Sequence, residues 1–250
     1  MFIRTESFQE FTRLYPIVTV LVGIHLILWL FTDIIPLPFL LTLTELGIGQ
    51  NWYIQHEQEY WRLITAIFFH FGFGHMLFNS FSLILFGPAL ERLLGKGKFI
   101  TAYLIAGFTG NIATLWLGSP FVTHAGASGA IFGLFGVYLF IVLYRKYLLD
   151  YQNTQIIITI MIFGFIMTFI QTNINIYAHL FGFIGGFLIA HVIVGKSRTA
   201  EGYGYNTRPR IRFNPNRWRK RAFGQVTLGK LLLWGFFILL VLFGIVGRFL

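Results

Sequence analysis

The chain is 250 residues long, 56% hydrophobic and only 11% charged, with a mean hydropathy of +0.71. So little charge excludes an ordinary water-soluble domain, and the absence of cysteine excludes a disulfide framework and thiol chemistry. The net charge of +10 is gathered in segments between apolar runs, a distribution that points to membrane topology and not to nucleic acid. In a bilayer every backbone polar group must be satisfied internally, which leaves helices or a closed barrel. Long apolar runs, in place of short alternating segments, predict helices.

Residues 1–13, with Arg4, Glu6, Glu10 and Arg13, form a polar lead. The first apolar run, Leu14 to about Phe31, is long enough to span and does not have the pattern of a cleavable leader. Residues 32–69 make a long connection whose mix of apolar, aromatic and amide side chains predicts a structured loop lying partly in the interface. Further spans are predicted from His75 to Glu91-Arg92, Phe99 to Leu117, Gly126 to Tyr144, Gln155 to Ile170 and Tyr177 to Gly195. Gly107 and Gly110 read as packing sites in the third span. A basic segment, residues 196–230, precedes a seventh span from about Leu231 to Val246. The predicted architecture is all-α: a six-helix bundle over residues 14–195, a linker over 196–230, and an added helix with a short tail over 231–250.

Lys and Arg set the orientation. Arg92, Lys96, Lys98, Arg145, Lys146 and the cations of 196–230 fall on one side; Arg62 and Arg248 fall on the other. The N-terminus is therefore expected in the cytoplasm, and the first loop and C-terminus outside. The run Arg208 to Arg221 reads as a juxtamembrane segment touching anionic lipid, not as a nucleic-acid site.

Three co-oriented spans carry a polar residue at one depth. His75, Ser128 and His179 each lie seventeen residues before a basic anchor, Arg92, Arg145 and Lys196 respectively. At about 1.5 Å per residue that is roughly 25 Å, against a hydrocarbon core of about 30 Å. Ionisable groups at such depth face a bundle interior or a cavity. His179, Gly182 and Gly186 share a helix face, as do His75 and Asn79. The small residues Gly129, Gly133 and Gly136 near Ser128 allow a close approach of helices.

This set permits acyl transfer. A hydroxyl is a weak nucleophile until a base removes its proton. Ser128 can be that nucleophile, and His179 the base that later protonates the leaving amine. The Ser128 backbone N–H, the Asn79 amide and His75 can donate to an oxyanion. No carboxylate lies at this depth, which predicts a dyad. The histidines have no cysteine or acidic partners at ligand spacing, so no metal is expected, and no cofactor is called for.

Gly126-Ala127-Ser128-Gly129, His179 with Gly182 and Gly186, His75-Met76-Leu77-Phe78-Asn79, and Trp61-Arg62 in the first loop together resemble the rhomboid family of intramembrane serine proteases. The resemblance covers about residues 14–195. It implies a six-helix fold with a membrane-embedded first loop, Ser128 as nucleophile, His179 as base, and His75 and Asn79 as oxyanion stabilisers. It also implies transmembrane protein substrates, approaching laterally near the second and fifth helices. Phe132 stands where many members carry a tyrosine stacked on the base. A non-proteolytic relative that escorts transmembrane clients is the alternative; it predicts a broken dyad, and this one is intact. A transporter predicts inverted repeats and broken helices, which the sequence does not display.

Outside the set, Trp61-Arg62 reads as an anchor of the first loop. His25 and His191 read as packing or interface residues, His56 and His124 as loop residues, and His70 as a junction residue near the site. Gln171, Asn173 and Asn175 read as a solvated turn.

Overall fold

The computed structural model describes residues 6–35, 37–171 and 173–195. The basic linker and seventh span expected at 196–250 lie outside the described residues.

A short helix, α1 (Phe8–Leu14), opens on a capping box. The Ser7 N–H donates to Glu10 Oε2 at 2.8 Å, and the Glu10 N–H donates back to Ser7 Oγ at 3.3 Å. Pro16 starts α2 (Pro16–Trp29), where its missing N–H is no loss. One π-helical turn, Leu30–Ile34, extends α2 to a 19-residue apolar run.

The long first connection is more regular than the sequence predicts. It contains α3 (Pro38–Gly47), α4 (Asn51–His56) and α5 (Arg62–Thr65). Between α3 and α4, strand β1 (Gly49–Gln50) pairs antiparallel with β2 (Thr123–His124), Gly49 opposite His124. Asn51 donates to the Thr114 and Ser119 carbonyls at 2.9 Å each, and Asn111 donates to the Leu63 carbonyl at 2.9 Å. These bonds tie the connection to α7 and the loop after it at its buried residues Asn51 and Leu63.

The main bundle follows: α6 (Gly72–Leu94), α7 (Lys96–Leu117), α8 (Ser128–Tyr144), α9 (Tyr151–Ile170) and α10 (Ile176–Ile193). With the extended α2, all but α8 are long and apolar enough to cross a membrane, which makes five; α8 is a shorter apolar helix. The protein is a multi-pass membrane protein built as an all-α bundle. The largest differences from the expected helix starts are in α6, which begins three residues before His75, α7, three before Phe99, and α9, four before Gln155; α2 and α8 begin two residues after Leu14 and Gly126. Asp150 caps α9, accepting the Asn153 N–H at 2.9 Å, and so moves that helix start upstream.

Helix α8 is central. Every residue from Gly129 to Ile141 is buried, as a helix that is apolar all round requires. It meets α10 along glycines. A methyl placed on Gly182 would overlap the Gly129 carbonyl, and one on Gly186 would overlap the Gly133 carbonyl. Gly110 of α7 lies against Ala178 of α10, where a methyl would sit 2.6 Å from the Ala178 carbonyl oxygen. Helix α9 is peripheral, exposing Ile156, Ile162, Phe163, Ile166 and Ile170.

Candidate active site

Ser128 is the first residue of α8, so its N–H has no partner within its own helix. The turn before it is held from the segment that follows α5. The Gly126 N–H donates to the Ala66 carbonyl at 2.8 Å, and the Ala127 N–H donates to His70 Nε2 at 3.3 Å. Gly126 has φ +134°, a conformation open to glycine. A methyl there would also lie 2.7 Å from His75 Nε2 and 3.9 Å from Asn79 Nδ2. The His75 ring and the Asn79 amide therefore close over the turn that presents Ser128. Asn79 Nδ2 donates to the His75 carbonyl at 2.9 Å, one turn back. That leaves its second N–H as a further donor.

On the opposite side stands His179 of α10, 7% exposed. The backbones flanking the two residues touch: a methyl on Gly129 would lie 3.1 Å from the Ala178 carbonyl. The His179 ring stacks on Phe132, centroids 4.1 Å apart and planes 17° from parallel. Phe132 is one helical turn along α8 from Ser128, so the serine's own helix supplies the shelf for the imidazole. Behind Phe132, Gly164 of α9 makes room, a methyl there lying 3.3 Å from Phe132 Cζ. The second ring nitrogen, His179 Nδ1, is 2.8 Å from Thr168 Oγ1 of α9.

Residues 57–196 match the family model described as "Rhomboid domain". The chain belongs to the rhomboid family. It is 49% identical over 196 residues to YdcA of Bacillus subtilis (strain 168), a protein named for the rhomboid proteases; the match covers 78% of this chain and 98% of YdcA. It is 44% identical over 128 residues to Rhomboid protease GluP of the same organism, covering 50% of this chain and 25% of GluP. RHOMBOID-like protein 1 of Arabidopsis thaliana is 38% identical over 102 residues, covering 41% of this chain and 26% of that protein.

In this rhomboid, Arg62 is buried and gathers the first connection around its guanidinium. It donates to the Glu45 carbonyl and to the Ile48 carbonyl at 2.8 Å, and it pairs with Glu59. Trp61 Nε1 donates to the Leu46 carbonyl at 3.1 Å. Both residues act on the loop backbone, and none of these contacts involves Ser128 or His179.

Three histidines outside the expected set have defined surroundings. His70 Nδ1–H donates to the Phe68 carbonyl at 3.1 Å while Nε2 accepts from Ala127, so the ring holds one neutral tautomer. Burial first, then the neighbouring His25 and His75, pushes it well below the usual histidine range. His25, in an apolar run without a sequence partner, is fully buried, and its reading as a packing residue is incomplete. Its Nδ1 is 3.2 Å from Ser80 Oγ and its Nε2 is 3.3 Å from the Tyr103 hydroxyl. It also meets His70 edge-on at 4.6 Å, and His70 meets His75 edge-on at 5.1 Å. The partners lie 55 and 78 residues away, which no local pattern could reveal. His124 is 6% exposed in the β2 pairing, and burial pushes it down to about 4.

Asn175 is not merely part of a solvated turn. It caps α10, accepting the Ala178 N–H at 3.0 Å, and its Nδ2 donates to Thr114 Oγ1 at 2.9 Å.

Proposed function

We propose that this rhomboid is an intramembrane serine endopeptidase that cleaves membrane proteins in or near their transmembrane segments. Relatives named as proteases support hydrolysis at the level of the family. The observation that carries the finer reading is the enclosure of the α8 N-terminus: His75 and Asn79 over Gly126, and His179 stacked on Phe132 beside it.

In this reading Ser128 Oγ attacks the scissile carbonyl as His179 takes its proton. The tetrahedral oxyanion is met by the Ser128 N–H, the Asn79 amide and His75. The N–H groups of Gly126 and Ala127 are already bonded to Ala66 and His70, so among the described residues the Ser128 N–H is the donor this turn leaves for an oxyanion. The positive end of α8 favours the developing negative charge. His179 then protonates the leaving amine, and a water activated by the same ring hydrolyses the acyl-enzyme. The distribution of Lys and Arg supports a reading with the N-terminus in the cytoplasm and the site toward the external side of the cell membrane. By sequence, residues 196–230 would contact anionic lipid.

Fluorophosphonate labelling of detergent-purified wild type, Ser128→Ala and His179→Ala tests the reading. Labelling of wild type alone is expected. Equal labelling of folded Ser128→Ala would overturn it. A folded wild type that neither labels nor cleaves a single-span substrate would favour the non-proteolytic escort.

A further inference from the structure

We infer that Thr168 of α9 is a positioning residue for His179, selecting the imidazole tautomer in which Nδ1 is protonated and Nε2 is free to act as base. The inference deepens the proposed function and rests on it.

Thr168 Oγ1 lies 2.8 Å from the Gly164 carbonyl, one turn back on its own helix, and 2.8 Å from His179 Nδ1. A threonine hydroxyl has a single proton and two lone pairs. A carbonyl can only accept, so the contact with Gly164 takes that proton, the usual arrangement for a threonine within a helix. The hydroxyl oxygen is then an acceptor toward His179, and Nδ1 has to carry the hydrogen. A neutral imidazole holds one N–H. Its lone pair is thereby assigned to Nε2, the nitrogen a base would use toward a serine. In many serine hydrolases a buried carboxylate accepts from the base and does this work; here a neutral hydroxyl does.

The assignment is rigid. Thr168 is 1% exposed, and Phe132 holds the other coordinate of the ring by stacking. Thr168 fixes rotation within the ring plane, and Phe132 fixes the plane. Because Thr168 stands on the peripheral helix α9, the state of the base depends on how that helix is seated.

The test compares wild type, Thr168→Val, Thr168→Ser and Ser128→Ala in detergent. Fluorophosphonate inactivation is resolved into a maximal rate and a half-saturating concentration. Nitrogen NMR of ring-labelled histidine, assigned with His179→Ala, reads the tautomer directly in wild type. The expected results are an Nδ1–H tautomer for His179 and a maximal rate reduced roughly two- to tenfold in Thr168→Val, the scale of one neutral hydrogen bond. The half-saturating concentration should be unchanged, and Thr168→Ser should stay near wild type. An Nε2–H tautomer in wild type overturns the inference. So does a Thr168→Val rate equal to wild type, or an equal loss in the valine and serine variants, which would reduce the role to packing. Ser128→Ala separates the two levels. If wild type labels no faster than Ser128→Ala, the hydrolase reading fails and takes this inference with it. If wild type labels through Ser128 and Thr168→Val is normal, this inference alone fails.

Discussion

The carboxylate of Glu91, at the far end of α6, accepts the backbone N–H of Val18 at 2.9 Å and that of Ile17 at the same distance. A side chain thus caps a helix that begins more than seventy residues earlier in the chain. The first N–H groups of α2 have no partners within that helix, and its positive end favours an anion. Glu91 is 3% exposed, a location tolerable for a carboxylate because it is satisfied there.

Glu91→Ala should therefore destabilise the bundle by about 2–4 kcal/mol, since bonds from one buried and one part-buried amide are lost together. Glu91→Gln keeps an acceptor and should lose about half as much. Thermal unfolding in detergent measures both. Unfolding of Glu91→Ala at the wild-type temperature would show that solvent or lipid replaces the cap.

Gly126→Ala should fold and lose most of its labelling. The added methyl meets His75 Nε2 at 2.7 Å, at a backbone conformation that side chains rarely adopt. Displacing one oxyanion donor lowers a rate by about 10²–10³, so a fall of roughly that size in fluorophosphonate reactivity is expected. Wild-type reactivity would mean that His75 has no part in the reaction.

His70 should act through the Ala127 N–H. His70→Leu leaves that buried amide without an acceptor, and His70→Gln can restore one. The leucine variant is expected to lose about 1–3 kcal/mol of stability, with reactivity falling as the Ser128 turn loosens. The glutamine variant should recover part of both. If glutamine and leucine behave alike in unfolding and labelling assays, the contact with Ala127 is not the cause.

Acid should destabilise the fold through His124. In the folded protein burial holds its ring down to about 4, against 6.5 when free. Below 6.5 the unfolded chain takes a proton that the folded chain refuses, so stability is complete above that pH and falls as pH is lowered through the window to about 4. The full loss is about 3 kcal/mol, and His70, shifted the same way, adds to it. Thermal midpoints recorded from neutral to acid pH should decline in wild type, and less steeply in His124→Gln. Parallel slopes would remove His124 from the effect.

Much of this rhomboid is readable from the chain alone, and for a physical reason. A bilayer allows few solutions to the backbone hydrogen-bond problem, so runs of apolar residues predict helices almost directly, as they do for α7, α8 and α10. Ser128, His179, His75 and Asn79 stand out in the sequence as candidates because polar residues are scarce within apolar runs, and the glycines beside them mark where helices meet. Helix starts were less visible, because Gly72 and Tyr151 begin α6 and α9 ahead of the apolar pattern. The regularity of the first connection is not legible in the sequence, because its helices are held by Arg62 and Asn51 reaching carbonyls remote in sequence.

What the sequence by itself determined is composition-limited: an all-α membrane bundle and the small residues that let helices touch. What only the tertiary structure decided is pairing. Thr168 against His179, His70 against Ala127, His25 against Tyr103 and Glu91 against Val18 are each a donor meeting an acceptor across separate segments of the chain. A hydrogen bond depends on about 3 Å of separation and on direction. Hydrophobic spacing places a residue on a helix face but does not set which way that face turns or which neighbour it meets; those follow from packing the whole bundle.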